Sequence, residues 1–343
     1  MTIVNIRKAG FLSRMFFRVF IFQGILWAFI PAAPARAEEG QGCQMIRAAS
    51  LPVTVDDNLI LADVTINGRA VSLIVDTGSA STMLFDEAAQ DLGLSVLRDD
   101  PVETPAIGGM LWAGNSKIRD FVLGSWLIHD LRVSVGGHGT RWKDKAVAGI
   151  LGQDFLGQFD IEFDLAANRM AFYSPRQCEK AWLGYWSDKV VAVDFSRGGK
   201  RQTLIELPVD VNGKTLLAEL RSGVGSTILS ATAAANLGHP AQDPGTAAAA
   251  PLTGPGPKLL ESWTSSFESF RLGDETIRNV TLRFADFASS AESHSTGSHI
   301  GRSALSYDLL LGADFIGAHH LLVSNSQNRL YFSYNGGRVF RGG

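Results

Sequence analysis

Short apolar runs separated by glycine and asparagine recur along most of the chain beyond residue 50. Runs of this length, rich in aliphatic and β-branched residues, are typical of strands rather than of helices. The pattern predicts strands at Leu59–Ile66, Val71–Val75, Ile118–Leu123, Leu131–Val135 and Ile161–Phe163. The sequence therefore indicates a protein built mainly from short β-strands.

Turn and helix signals fall at matching places in the two halves of the chain. Asn67-Gly68 and Asn212-Gly213 favour two-residue hairpins, because both residue types tolerate a left-handed backbone. The segments Phe85–Leu92 and Ser230–Leu237 each predict one short helix, followed by a glycine that suits a helix end.

The chain contains an internal repeat. Val64–Gly93 aligns with Val209–Gly238 without a gap, and 11 of the 30 positions are identical. A later ladder pairs Leu151–Gly157 with Leu311–Gly317 in the same order. Collinear ladders of this kind indicate two copies of one β-rich unit with loop insertions in the second copy.

The first 37 residues have the pattern of a secretory leader. Basic residues precede an apolar stretch, Val19–Ile30, and Ala35-Arg36-Ala37 forms an A-x-A cleavage site. The alternative is an uncleaved anchor, but a spanning helix needs roughly 20 apolar residues. We expect a signal peptide at 1–37 and a mature chain in the periplasm or outside the cell.

The repeat and the leader divide the chain into four parts. We expect the signal peptide at 1–37, a first lobe at 38–178, a linker at 179–187 and a second lobe at 188–343. A chain of 343 residues, 45% hydrophobic and 19% charged, is long and apolar enough for two lobes with buried cores.

Charge argues against one class of partner. Five of the 31 basic residues lie in the leader, so the mature chain has 26 basic against 34 acidic residues and a formal charge of −8. A nucleic-acid partner does not fit this balance. No later stretch has spanning length, so we expect no stable membrane span after cleavage.

Two cysteines, Cys43 and Cys178, remain after cleavage of the leader. An even number in an oxidising compartment favours one disulfide, which would tie the N-terminal arm to the end of the first lobe. Two separate thiols remain the alternative.

One acidic residue, Asp76, ends an almost entirely apolar strand and is followed by Thr77, Gly78 and Ser79. Burial disfavours an ionised carboxylate, so such a group needs donors close by. The three residues after Asp76 can provide them through backbone N–H groups and hydroxyls. We expect them to hold the carboxylate.

The Asp-Thr-Gly-Ser run and the later Ile150-Leu151-Gly152-x-Asp154-Phe155-Leu156 resemble the retropepsin-like aspartic peptidases, over roughly Leu51 to Tyr334. The resemblance implies an all-β fold of two closed β-barrel lobes related by a pseudo-two-fold axis, with one short helix per lobe. It also implies peptide hydrolysis by Asp76 and a flap over the substrate. The flap candidate is Ile107-Gly108-Gly109, with an ordinary glycine-rich hairpin as the alternative.

The second copy departs from the family pattern. Arg221-Ser222-Gly223 stands where a second Asp-Thr-Gly is expected. An arginine stays protonated at neutral pH and cannot share a proton with Asp76. Glu219 could lie on the same strand face as Arg221 and pair with it. Asp210 and Asp314 align with other positions of the first copy and are not convincing substitutes.

Three functions are compatible with these motifs. The leading interpretation is an exported aspartic endopeptidase with Asp76 as the acid/base residue, acting either with Asp76 of a second chain in a homodimer or with Arg221 polarising the peptide carbonyl. The alternative is a pseudopeptidase that binds peptides between the lobes without cleaving them. The third is an envelope protein that uses only the fold.

Other chemistries lack support. The sequence has no G-x-S-x-G elbow, no Walker loop and no dinucleotide fingerprint, so we expect no cofactor. His294 and His299 lie in a serine- and glycine-rich loop without a ligand cluster, so we expect no metal ion. The expected partner is a peptide or protein substrate.

Overall fold

The structure is a computed structural model. It describes residues 42–139, 145–198, 203–287 and 307–340, together with the backbone of short strands at Thr2–Val4, Arg141–Trp142, Glu292–Ser293 and Arg302–Ser303. The expected signal peptide, apart from Thr2–Val4, and the loop with His294 and His299 lie outside the described residues. Within the described part of the chain, no helix has the length and apolar character needed to cross a membrane.

Strands dominate both halves of the chain. In the first half they are β1 Thr2–Val4, β2 Gln44–Asp56, β3 Leu59–Ile66, β4 Arg69–Val75, β5 Met83–Leu84, β6 Leu97–Ala106, β7 Gly109–Leu123, β8 Trp126–Val135, β9 Arg141–Trp142, β10 Lys145–Leu151, β11 Asp160–Asp164 and β12 Arg169–Arg176. In the second half they are β13 Val191–Asp194, β14 Ser196–Gly198, β15 Leu204–Val211, β16 Lys214–Leu220, β17 Ile228–Ser230, β18 Ala247–Leu252, β19 Leu260–Leu272, β20 Glu275–Ala285, β21 Glu292–Ser293, β22 Arg302–Ser303, β23 Leu309–Leu311, β24 His319–Ser324 and β25 Arg329–Tyr334.

Six strands close into a barrel in each lobe. In the first lobe the order is β3-β4-β10-β5-β8-β7, and β7 pairs back with β3. In the second lobe β15-β16-β23-β17-β20-β19 follow the same order and close through β15 and β19. The pairs β4–β10 and β16–β23 are parallel in both lobes. The prediction of an all-β fold with two closed barrel lobes is confirmed.

The two Asn-Gly hairpins form as predicted. Asn67 and Gly68 have φ values of 50° and 84°, and Asn212 and Gly213 have values of 50° and 76°. These left-handed conformations match the twist of a tight hairpin, which asparagine and glycine adopt with little strain. The hairpins set the register of β3 with β4 and of β15 with β16, and so fix where each motif loop begins.

The expectation of one short helix per lobe is wrong, because the described residues of each lobe contain at least two. The predicted helices are α1 Asp86–Asp91 and α3 Ala231–Asn236. Additional helices are α2 Gln153–Leu156 and α4 Ala313–Gly317, and a 3-10 turn spans Leu165–Ala167. Helices of one turn have no hydrophobic period in the sequence, so pattern analysis misses them.

A six-stranded layer joins the lobes, in the order β13-β25-β24-β11-β12-β2. Its central contact is the antiparallel pairing of β11 with β24, which aligns Ile161 with Val323 and Asp164 with His320. Backbone hydrogen bonds therefore connect the two halves of the chain, and they hold the barrels in one relative orientation.

Cys43 and Cys178 form a disulfide with a Cα–Cα distance of 4.5 Å. The bond closes a loop of 135 residues between the arm before β2 and the end of the first lobe. In the chain-entropy model, closing a loop of this length lowers the entropy of the unfolded chain and stabilises the fold by about 4 to 5 kcal/mol.

Replacing both cysteines with alanine is expected to lower the free energy of unfolding by about 2 to 5 kcal/mol, because the unfolded chain regains the freedom of the open loop. Urea unfolding of the double variant and of the wild type measures the difference. An unchanged midpoint, or two thiols labelled in the denatured wild type, would contradict the bond.

Candidate functional site

The two motif loops leave their barrels at equivalent places. Asp76 follows β4, and its backbone N–H donates to the carbonyl of Leu151 at 3.0 Å. Arg221 follows β16, and its N–H donates to the carbonyl of Leu311 at 2.9 Å. Each loop is thus fixed to the parallel neighbour of its own strand, and the two loops meet between the lobes.

A reciprocal set of buried hydrogen bonds locks the loops together. The Thr77 hydroxyl donates to the carbonyl of Leu220 at 2.6 Å, and the Ser222 hydroxyl donates to the carbonyl of Val75 at 2.7 Å. The N–H of Thr77 donates to Ser222 Oγ at 3.0 Å, and the N–H of Ser222 donates to Thr77 Oγ1 at 3.1 Å. The altered second motif therefore keeps the full brace between the lobes.

The Asp76 carboxylate is buried and held by both motif glycines. Asp76 is only 4% exposed. Its Oδ1 accepts hydrogen bonds from the N–H of Gly78 at 2.8 Å and from the N–H of Gly223 at 3.2 Å. The expectation that Thr77 and Ser79 also hold this carboxylate is wrong. Thr77 donates across the lobe interface, and the Ser79 hydroxyl donates to the carbonyl of Ser81 at 2.9 Å.

Arg221 occupies the position opposite Asp76. Its Nε lies 4.0 Å from Asp76 Oδ2, and its Nη1 lies 3.4 Å from Glu219 Oε1. Burial acts to lower the pKa of the guanidinium, but the carboxylates of Glu219 and Asp76 outweigh that effect and raise the pKa above its ordinary value. Arg221 is therefore a permanent cation in the site.

Glu219 is the third charged group of the site and is completely buried. The pairing with Arg221 that its position suggested is present, at 3.4 Å. Burial raises the pKa of the Glu219 carboxyl to about 7, because Asp76 and Glu206 add to the effect and the attraction of Arg221 only partly offsets it. Glu219 Oε2 has no hydrogen-bond partner among the residues that the structure describes.

The other two acids that the repeat placed near the motif serve elsewhere. Asp210 forms an ion pair with Arg271 and accepts from the hydroxyl of Thr215 at 2.6 Å. Asp314 accepts from the N–H and hydroxyl of Thr227 at 2.9 and 2.7 Å. Asp154 binds Thr82 in the same way in the first lobe, so Asp314 is a structural brace.

The flap candidate lies at the tip of the β6–β7 hairpin, with Ile107 and Gly108 between paired residues Ala106 and Gly109. This tip contacts the loop of residues 253–259 between β18 and β19 of the second lobe. Gly256 N–H donates to the Ile107 carbonyl at 3.0 Å, and Lys258 N–H donates to the Gly108 carbonyl at 2.9 Å. The two hairpins thus meet tip to tip.

An apolar contact adds to the hydrogen bonds between the tips. The Ile107 side chain is buried in a cluster that contains Ile228, Leu252 and Leu310 of the second lobe. Gly108 has a φ of 90°, and a Cβ there would lie 2.4 Å from the Lys258 carbonyl oxygen, so the close approach requires glycine.

Sequence reasoning missed one contact of the site, and it predicted the pairing of Glu219 with Arg221 but not the burial of Glu219. Gly223 supplies a donor to a carboxylate 147 positions earlier, which no local pattern encodes. Glu219 is a charged residue where the repeat places the apolar Ile74 in the first lobe. That substitution next to the altered motif was a signal for a changed site.

Comparisons with known proteins find one similarity in sequence and one in fold. Residues 62–155, which contain Asp76, match the family model of the aspartyl proteases. The crystal structure of the aspartic proteinase from Irpex lacteus is 14% identical, with a TM-score of 0.50, and the match covers 83% of this chain and 97% of that one. At this identity the likeness shows the fold alone. No curated protein matches the sequence significantly.

The two matches agree with the geometry of the motif loops. The family match covers the part of the first barrel that carries the Asp-Thr-Gly loop, and the structural match extends over both lobes. The second motif, Arg221-Ser222-Gly223, keeps the contacts of such a loop without its aspartate. Residues 62–155 are therefore similar to the aspartyl proteases, and the chain shares the two-lobed fold of the aspartic proteinase from Irpex lacteus.

Proposed function

We propose that the mature chain is an exported aspartic-type endopeptidase that hydrolyses extended peptide segments with Asp76 as the acid/base residue. The observation that carries this proposal is the Asp76 carboxylate, held at the lobe interface by one glycine N–H from each lobe. Oδ1 accepts both of these hydrogen bonds. Export rests on the leader at 1–37.

The chemistry follows from the charges of the site. An ionised Asp76 can take a proton from a water molecule while that water attacks the carbonyl carbon of a peptide bond. The carbonyl oxygen gains negative charge in this step, and a fixed cation nearby stabilises it. Arg221, 4.0 Å from Asp76 and always protonated, supplies that cation.

The substrate class follows from the shape of the site. A peptide in extended conformation can add to the strands beside the motif loops through main-chain hydrogen bonds. Its place lies below the two hairpin tips, so binding must replace the bonds from Gly256 and Lys258 to the flap tip. An unfolded protein or a flexible loop meets this requirement, whereas a folded domain does not.

A second function has one specific observation in its favour. An ion pair between Arg221 and Asp76 stands in place of the two-aspartate arrangement of the family. A pseudopeptidase that binds peptides between the lobes without cleaving them is therefore the alternative. The two functions differ only in hydrolysis.

Cleavage of an unstructured protein by the mature chain, from about pH 3 to pH 8, tests the proposal. We expect the wild type to cleave and Asp76→Asn to be inactive. A peptide with a central hydroxyl, which mimics the tetrahedral intermediate, should raise the thermal midpoint of the wild type more than that of Asp76→Ala. Stabilisation by this peptide without cleavage would favour the pseudopeptidase, and the absence of both would exclude both functions.

A further inference from the structure

The carboxylate of Glu219 is buried beside Arg221 and close enough to Asp76 for the two charges to interact. It lies at the end of β16, two residues before Arg221, and is 0% exposed. One of its oxygens faces Arg221 at 3.4 Å, and the other lacks a hydrogen-bond partner in the described part of the chain. A buried carboxyl with one unsatisfied oxygen is costly to keep in the folded protein.

The motif glycines show where this carboxylate lies. A Cβ on Gly223 would be 2.3 Å from Asp76 Cγ and 2.5 Å from Asp76 Oδ2. A Cβ on Gly78 would be 2.5 Å from Glu219 Oε1. Each glycine is therefore covered by a carboxylate from the opposite lobe. Glu219 Oε1 therefore covers Gly78 at the same distance at which Asp76 Oδ2 covers Gly223.

The longer side chain explains how this is possible. Arg221 stands where the second aspartate would begin, and its Cγ and Cδ pass 2.6 and 2.8 Å from the Cβ position of Gly78. Glu219 lies two residues before Arg221 on the same strand face, and its side chain, one methylene longer than that of aspartate, reaches the same glycine. The first lobe has Ile74 at the corresponding place and no such carboxylate.

We propose that Glu219 is the second carboxylate of the active site and works with Asp76 as the proton-holding catalytic residue. This inference rests on the proposed peptidase function. It replaces the absent second aspartate with an acid from the same lobe, so no second chain is needed to complete the pair.

The proton balance of the proposed reaction closes. Ionised Asp76 takes a proton from the attacking water, and the carboxylic acid of Glu219 gives its proton to the carbonyl oxygen, which forms a gem-diol. As the C–N bond breaks, Asp76 returns its proton to the leaving nitrogen and Glu219 takes one from a gem-diol hydroxyl. Both carboxyls are then in their starting states, and the products are a carboxylic acid and an amine.

The charges around Glu219 favour this assignment of protons. Three charged groups surround Glu219: Arg221 of the following loop, Asp76 of the first lobe and Glu206 of the paired strand β15. The Tyr307 hydroxyl donates a hydrogen bond to Glu206 at 3.1 Å. With Glu219 protonated, the buried group of Asp76, Arg221 and Glu219 has no net charge. The raised pKa of about 7 keeps that proton in place at acidic pH.

Glu219→Gln tests the proposal, because glutamine keeps the shape but cannot exchange this proton. We expect kcat to fall by about 10²-fold or more with little change in KM. The wild-type rate should decline as the pH rises through about 7, and the residual rate of the variant should not show this decline. Glu162→Gln is the matched control, since Glu162 is equally buried but lies in the layer that joins the lobes, and its activity should stay within about threefold.

A second comparison separates proton transfer from a mere counter-ion role. The Arg221→Met background removes the cation that pairs with Glu219, so a counter-ion role predicts equal activity with glutamate or glutamine at 219. We expect Glu219→Gln to lower kcat by about 10²-fold there as well. Equal rates in the two Met variants, or wild-type activity in Glu219→Gln, would overturn the inference while leaving Asp76 catalysis intact.

A readout without activity completes the test. The folded pKa of about 7 lies above the ordinary value of 4.5, so the folded chain holds a proton that the unfolded chain has released between these values. Stability from Glu219 is therefore present below pH 4.5 and is lost as the pH rises to about 7. The thermal midpoint of the wild type should fall over this window relative to Glu219→Gln. Parallel curves would overturn the proton-holding role, and an inactive wild type would exclude both it and the proposed function.

Discussion

Arg221→Asp is expected to raise peptide cleavage at acidic pH by about 10²-fold, because it places a second carboxylate directly across from Asp76. Two carboxylates this close cannot both ionise, so one becomes a general base and the other a general acid. Hydrogen bonds of Ser222 and Thr77 already fix the backbone of the loop that carries residue 221, so the new aspartate needs no rearrangement of the loop. Initial rates from about pH 3 to pH 7 measure the effect.

The control for this gain is Arg221→Ala, which removes the cation without adding an acid. It should not reproduce the increase. A stricter form combines Arg221→Asp with Glu219→Ile, which copies the Ile74 and Asp76 arrangement of the first lobe into the second. A bell-shaped acidic profile that vanishes on adding Asp76→Asn would support a rebuilt pair. Failure of either Asp variant to exceed the wild type would show that the loops do not bring residues 76 and 221 into reacting geometry.

Removing the brace between the motif loops should destabilise the protein strongly. The double variant Thr77→Val with Ser222→Ala eliminates four buried hydrogen bonds and leaves the carbonyls of Val75 and Leu220 without their donors. The N–H groups of Thr77 and Ser222 also lose their acceptors, so four buried groups are left unsatisfied. At about 1 to 3 kcal/mol for each group, the free energy of unfolding should fall by about 4 to 12 kcal/mol. Urea denaturation of the single and double variants measures the loss.

Thr276→Val is the matched control for this experiment, because Thr276 is exposed on β20 and the same change removes a solvated hydroxyl. Its effect should stay within about 0.5 kcal/mol. Because Thr77 and Ser222 are hydrogen-bonded to each other, the decreases in the free energy of unfolding of the two single variants should not sum to that of the double variant. Additive losses of less than about 1 kcal/mol each would show that the brace contributes little to stability.

The hydrogen-bonded brace and the charges of the site lie on the same two loops. The brace determines where the Arg221 loop lies, and the charges on that loop determine what Asp76 can do. A variant that changes charge without disturbing Thr77 or Ser222 therefore tests chemistry. A variant that removes these hydroxyls tests the frame.

The local sequence pattern was sufficient to predict the β class of the fold and both Asn-Gly hairpins. Short apolar runs gave the β class, and Asn67-Gly68 and Asn212-Gly213 gave two hairpins, because side-chain alternation and left-handed turns are properties of neighbouring residues. Self-similarity located the Arg221 loop opposite Asp76 without any coordinates. The additional helices α2 and α4 escaped, since single turns carry no period.

The contacts of the site itself depended on the tertiary structure. From the sequence, Thr77 and Ser79 were as good donors for Asp76 as Gly78, yet the second donor is Gly223, 147 residues away. Likewise, the sequence determined that Glu219 stands near an altered motif, but only the meeting of two lobes buries it completely and raises its pKa. Hydrogen bonds and desolvation act through space between chain segments, so they appear only when the fold brings those segments together.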